Sequence, residues 1–246
     1  MNVLIVYAHP EPASFNGALL RTSIETLEQN GHTVAVSDLY ANDFEPRITR
    51  ADFQGKAVNL DVLNIPQEQN NAFETNTLSF DIQREQERLA TADLVIFQFP
   101  LWWFSMPAIL KGWIDRVFSR GFAYAAGRKY DTGLFHGKLA MICTTTGTSA
   151  DTYAPDGIDG DILTVLWPIH NGIFRYTGFD VLPPFVAYMP GRLDFQERTY
   201  LLEKYKEKLL EIDSTPHLFF HPKNDYGPNE RLKPGVLARS GVQRNT

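Results

Sequence analysis

The stretch DLVIFQFPLWWFSMP (residues 93–107) decides the fold. Its first seven residues, DLVIFQF, form an apolar run of strand length, and PLWWFSMP is the loop by which that strand leaves the sheet. The loop carries three adjacent aromatics, Trp102, Trp103 and Phe104. Core aromatics fall on a periodic face, whereas three consecutive rings at a strand exit face solvent unless something covers them. A planar ligand is the reading this loop favours, with a subunit contact as its rival.

Outward from this strand, apolar runs alternate with helical patterns, which is the signature of a parallel α/β sheet. NVLIVYA (2–8) is a first strand, continuously apolar as a strand covered on both faces should be. After the turn HPEPASFN (9–16), Leu20, Ile24 and Leu27 fall at helical spacing and Gly31 makes a stop. TVAVSDLY (33–40) is the second strand. Residues 41–76 are polar and irregular, and SFDIQREQERLATA (79–92) reads as a surface helix capped by Ser79. From Pro107 a strong helix places Leu110, Trp113, Ile114, Val117 and Phe118 on one side. KLAMICTTT (138–146) is the fourth strand, and residues 161–176 are helical with Pro168 interrupting them. FDVLPPFVAYM (179–189) is a fifth, proline-broken strand, and Leu202, Tyr205 and Leu209 mark a last helix. The pattern predicts a five-stranded parallel sheet of order 2-1-3-4-5, helices on both faces, in the flavodoxin-like arrangement. Residues 1–213 form that domain; residues 214–246 lose periodicity and read as an irregular C-terminal arm or partly disordered tail.

With 246 residues, 43% hydrophobic and 21% charged, the chain suits an ordinary globular protein built on one large α/β domain. A net charge of −6 without a dense basic block argues against nucleic acid. The single Cys143 lies in a strand-like run and reads as an inert buried thiol. The N-terminus lacks the basic region and cleavage site of a signal peptide, and no apolar run approaches the roughly 18 residues of a membrane span. A cytoplasmic enzyme is the expectation.

In such sheets ligands sit beyond the carboxyl ends of the strands, where the strand order reverses. Three loops meet there. The first lacks the G-x-G-x-x-G fingerprint but sets Ser14 and Asn16 at a helix N-terminus, which favours an anion, and His9 could add charge. Ser14 as a simple cap explains that loop equally well. The second is the aromatic loop. The third offers Thr145, Thr146, Gly147 and Thr148 for the polar edge of a ring, or a plain glycine turn. Together they combine an anion site with an aromatic platform, which suits flavin better than free nicotinamide. His217 and His221 lack a supporting carboxylate, so no metal site is expected, and no G-x-S-x-G elbow points to a hydrolase.

SFN at 14–16, the 93–118 stretch, GFAY at 121–124 and GIDGDILTVLWPIHNGI at 157–173 carry a close resemblance to the NAD(P)H:quinone oxidoreductases of the DT-diaphorase family, flavodoxin-like flavoproteins. The likeness runs from about Val3 to Leu210. It implies a homodimer holding FAD, ahead of FMN, at the subunit interface, with NAD(P)H and a quinone as substrates. His9, Ser14, Phe15 and Asn16 match its phosphate contacts. Pro100, Leu101, Trp102, Trp103 and Phe104, then Thr145, Thr146, Gly147, Thr148 and Tyr153, match those around the flavin ring, and Arg198 matches an arginine near the adenosine. Trp103, Phe104, Tyr124 and Tyr176 fall where the family lines a shared nicotinamide and quinone pocket, the two tyrosines coming from the partner subunit. The implied mechanism is ping-pong hydride transfer through flavin N5.

The family stabilises charge on the reduced flavin with a tyrosine and a histidine. Tyr153 matches the tyrosine, but Asp159 stands where the histidine is expected. An ionised aspartate only accepts hydrogen bonds and repels an anionic flavin, so Asp159 is either a protonated donor or a bystander to Tyr153. The short tail leaves the choice among NADPH, NADH and a smaller nicotinamide open. Two other readings keep the flavin: a nitro or azo reductase, and a regulatory subunit of a membrane potassium-efflux system.

Overall fold

The computed structural model describes residues 1–245. Six parallel strands form one sheet: β1 (Asn2–Tyr7), β2 (Thr33–Asp38), β3 (Leu94–Pro100), β4 (Leu139–Thr146), β5 (Asp180–Val181) and β6 (Phe185–Tyr188). The order is β2-β1-β3-β4-β5, and β6 also pairs with β4. This is the flavodoxin-like arrangement expected from the alternating runs. The fifth strand is split, because Pro183 and Pro184 cannot donate to a ladder. Its first half pairs with Leu139 and Ala140, its second with residues from Cys143 to Thr146. Every residue of β3 is buried, as a strand covered on both faces requires.

The helices are α1 (Phe15–Gln29), α2 (Ile65–Glu74), α3 (Phe80–Thr91), α4 (Ala108–Val117), the short α5 (Ile162–Val165) and α6 (Trp167–Ile169), and α7 (Phe195–Leu210). On one face α1 and α7 pack Leu19, Leu27, Tyr205 and Leu209 against Ile5, Ile96 and Met141. On the other, Trp113 of α4 and Phe174 close over Phe97, with ring centroids 5.8 and 4.7 Å away.

Two local expectations are corrected and a third is sharpened. The 41–76 excursion contains α2, whose Asn64 accepts from the Gln67 N–H and whose Pro66 sits in the first turn, where a missing N–H costs nothing. Its polar composition hid it. Ser79 precedes α3 but makes no capping bond; its hydroxyl donates to Asp81 at 2.6 Å instead. Residues 161–176 are helical and interrupted at Pro168 as expected, and they divide into α5, α6 and a wide π turn, His170–Arg175. The excursion is anchored by Arg116 of α4, buried between Asp52 at 3.1 Å and Asp81 at 2.6 Å.

Beyond α7 the chain returns to the body. The Leu218 N–H donates to the Val181 carbonyl at 2.7 Å, and buried Arg175 donates to the His221 carbonyl. Cys143 is fully buried and its thiol is pushed up to about 12 by that burial, so it stays protonated and unreactive. Among the described residues no helix is long and apolar enough to cross a membrane.

Candidate active site at the carboxyl end of the sheet

The loops after β1, β3 and β4 converge on one rim. After β1 the chain turns through residues 8–14 into α1. Ser14 caps α1, its hydroxyl accepting from the Gly17 N–H at 3.2 Å. A Cβ on Gly17 would stand 2.0 Å from the Pro12 carbonyl oxygen, so the loop folds back over the helix start only because residue 17 is glycine. The remaining first-turn N–H groups have no intrahelical acceptor by geometry. His9 lies at the same edge, 6.3 Å from the Trp102 ring, with Nδ1 accepting from the Glu11 N–H at 3.0 Å.

The β1 and β4 loops are bonded through side chains. Asn16, 3% exposed, donates through Nδ2 to Thr145 Oγ1 at 2.9 Å. Its carbonyl accepts from Gln98 Nε2 at 2.6 Å. Asn16 Oδ1 and Gln98 Oε1 remain buried without a hydrogen-bond partner in the chain. Sequence reasoning passed over Gln98; the signal was a lone amide inside an apolar strand.

After β3, Leu101 still donates to the Thr145 carbonyl at 2.8 Å, which extends the ladder. The backbones of Trp102 and Ser105 then exchange hydrogen bonds at 3.0 Å in both directions, closing a two-residue turn on Trp103 and Phe104. Both central residues are left-handed, φ +52° and +58°, the geometry of a type I′ turn. Asn-Gly is the ordinary occupant of that turn, and two bulky aromatics there cost of order 1–3 kcal/mol each. The turn holds Trp103 96% exposed and brings Phe104 within 6.3 Å of the Tyr153 ring, centroid to centroid. Strain of this kind collects at ligand sites.

After β4, Thr146 Oγ1 donates to the Thr148 carbonyl at 2.8 Å, and a Cβ on Gly147 would meet nothing within 4 Å, so its backbone is open to a ligand. Thr148 Oγ1 donates to Asp159 Oδ2 at 2.9 Å, and Thr152 Oγ1 lies 3.0 Å from Thr148 Oγ1. Tyr153 is 7% exposed and touches Tyr188, a residue the sequence did not single out, at 6.1 Å. Burial raises its phenol above the ordinary value; a hydrogen bond with Thr148 opposes this and the Asp159 carboxylate adds to it. At neutral pH Tyr153 is therefore a hydrogen-bond donor.

Two groups stand apart from this rim. Arg198 occupies the first turn of α7 beside α1, and among the described residues no hydrogen bond ties its side chain to the three loops. Tyr124 and Tyr176 pair with each other at 6.3 Å and line an apolar cavity of about 300 Å³ with Ile114, Phe118 and Ile173; no ring contact joins them to Trp103 or Phe104 within the chain.

A doubly wound sheet whose switch-point rim carries a helix N-terminus, an aromatic turn and a polar loop defines a flavodoxin-like protein, and the flavodoxin-like fold family's profile matches residues 1–209. The mouse ribosyldihydronicotinamide dehydrogenase [quinone] is 47% identical over 210 residues, 85% of this chain and 91% of the relative. The rat NAD(P)H dehydrogenase [quinone] 1 is 42% identical over 240 residues, 98% of this chain and 87% of the relative. A solved structure from Klebsiella pneumoniae, described as a candidate quinone reductase, superposes with a TM-score of 0.93 at 42% identity and covers 100% of this chain and 98% of its own. The chain belongs to the NAD(P)H:quinone oxidoreductase family and is an oxidoreductase.

Proposed function

We propose that this protein is an FAD-dependent NAD(P)H:quinone oxidoreductase that reduces quinones by two electrons, its donor and acceptor using one pocket in turn. The observation that carries the reading is the strained Trp103–Phe104 turn set beside Tyr153 and the Asn16–Thr145 bond on one rim. The residues fit a flavin: two buried, unpartnered amide oxygens, an open backbone at Gly147 and a fully exposed indole all ask for an occupant. A bound flavin supplies the redox chemistry, hydride in from NAD(P)H and hydride out to the quinone.

The protein's own residues bind, orient and tune. The α1 N-terminus with Ser14, Phe15, Asn16 and His9 would receive the phosphates through N–H groups and the helix dipole. Pro100, Leu101, Trp102, Trp103 and Phe104, at and beyond the end of β3, would form one wall of the ring slot, and Thr145, Thr146, Gly147 and Thr148, at and beyond the end of β4, would supply its polar edge. Arg198 would meet the adenosine end. Burial keeps the Tyr153 proton in place, so its phenol would donate to the ring where negative charge develops. Asp159 accepts from Thr148, so in this reading it acts through Thr148 rather than as the proton donor.

Tyr124 and Tyr176 lie on a separate cavity, which supports their serving the partner's site in a homodimer. The dimer would also cover the exposed Trp103 and Phe104. We place the protein in the cytoplasm. Denaturing the purified protein and identifying the released chromophore tests the cofactor: FAD is expected. A colourless protein that takes up neither FAD nor FMN overturns the proposal.

A further inference from the structure

The π turn His170–Arg175 contributes to two cavities. Gly172 and Ile173 line the apolar one with Tyr124 and Tyr176, while Asn171 and Arg175 line a second, of about 270 Å³, closed by the C-terminal arm. The second cavity is cationic: Lys129, Arg175 and Lys223 face it, against the single carboxylate of Glu230. The charges are not equally engaged. Arg175, 9% exposed, stacks 4.6 Å over the Tyr130 ring, donates to the His221 carbonyl and faces Asp131 at 3.7 Å, so it is a fixed floor. Lys129 lies 5.6 Å from the centroid of the same ring and reaches Glu230 only at 3.5 Å. Lys223 has its backbone N–H held by Asp131, while its ammonium has no partner among the described residues. Two non-glycine residues of this lining, Tyr130 and Glu230, are left-handed, at φ +56° and +57°.

We propose that this cavity binds a phosphate or pyrophosphate group, with Lys129 and Lys223 neutralising it over the floor set by Arg175 and Tyr130. Two ammonium groups on short, pinned segments, one loosely paired and one free, form an incomplete charge set that a doubly charged oxyanion completes. The volume, at the small end of ligand pockets, admits one charged group and not a whole dinucleotide. The site also adjoins the wall assigned above to substrate, because Tyr130 packs edge-on against Tyr176 with centroids 5.3 Å apart. Its link to catalysis rests on that assignment. The phosphate could belong to a dinucleotide donor lying along that wall or to a separate phosphorylated compound.

The test uses the purified holoprotein and the double variant Lys129→Gln/Lys223→Gln, both exposed or half-exposed positions where folding is not at stake. Pyrophosphate binding is measured by calorimetry at low salt, and KM is measured for NADH and for dihydronicotinamide riboside, which has no phosphate, with one quinone. The wild type is expected to bind pyrophosphate, and the variant to bind it at least about tenfold more weakly. A rise in KM of similar size for NADH alone identifies the donor's phosphates as the occupant. Unchanged KM for both donors with weakened pyrophosphate binding identifies a separate compound. A wild type that binds no pyrophosphate, a variant that binds it equally well, or equal KM rises for both donors overturns the proposal. Quinone-dependent oxidation of at least one of the two donors by the wild type is retained if the oxidoreductase reading holds, whatever the pyrophosphate result, so the two failures are distinguishable.

Discussion

At the scale of single residues the account turns on Tyr153 and the two turn aromatics. Tyr153→Phe keeps the buried ring and removes the donor, and turnover is expected to fall about ten- to a hundredfold with the flavin still bound, read as the rate of flavin reduction in stopped flow. Asp159→Asn keeps an acceptor for Thr148 and is expected to retain most of that rate across pH, whereas Asp159→Ala should lose about tenfold. Equal rates in all three aspartate-site proteins would remove Asp159 from the mechanism. Replacing Trp103-Phe104 by Asn-Gly gives the turn its ordinary occupants. The melting temperature of the flavin-free protein is expected to rise by about 2–4 °C per kcal/mol of strain relieved, while flavin affinity falls. His170 is 1% exposed and burial depresses it to about 4. The unfolded chain therefore takes up the proton first, so stability is full above about pH 6.5 and is lost as pH falls toward 4. Between pH 7.5 and 5 this amounts to about 2 kcal/mol, to be read as the urea-stability difference that His170→Gln abolishes.

At the scale of elements, what was legible followed periodicity. The apolar runs at 2–8 and 93–99 read as strands covered on both faces, and they set the switch point where the three loops meet. The loops' residue types were legible too, since Ser14, Trp102–Phe104 and Thr145–Thr148 lie at or beyond the ends of the first, third and fourth runs. Their geometry was not. A Trp-Phe pair carries no signal for a type I′ turn, which local propensity assigns to Asn-Gly, so tertiary context overrode it. The helix α2 escaped because IPQEQNNAFE is mostly polar, and it is held by polar contacts such as Gln69 Nε2 to the Asp115 carbonyl at 3.1 Å. Gln98 and Tyr130 matter through partners far away in sequence, which no local pattern reveals. The helix α1 gives the prediction at this scale. In Gly17→Ala the new methyl meets the Pro12 carbonyl, so the capped N-terminus must shift, and flavin binding is expected to weaken more than stability falls, measured by flavin titration and thermal melting side by side.

At the scale of the whole molecule, the rim of one sheet carries the proposed ring slot, and a second aromatic wall, Tyr124 with Tyr176, lines a cavity of its own. In the proposed function, two copies complete each other's pockets across that separation. The arm beyond α7 joins the same scheme, because Leu218, His221 and Lys223 tie it to β5, to Arg175 and to the turn that carries Tyr130. A pocket shared in turn by donor and acceptor has a kinetic signature. The most direct measurement is the initial rate of NAD(P)H oxidation over a matrix of donor and quinone concentrations with the flavin-loaded protein. The account predicts quinone-dependent oxidation with parallel double-reciprocal lines; oxidation that is indifferent to quinone, or lines that intersect, would contradict it.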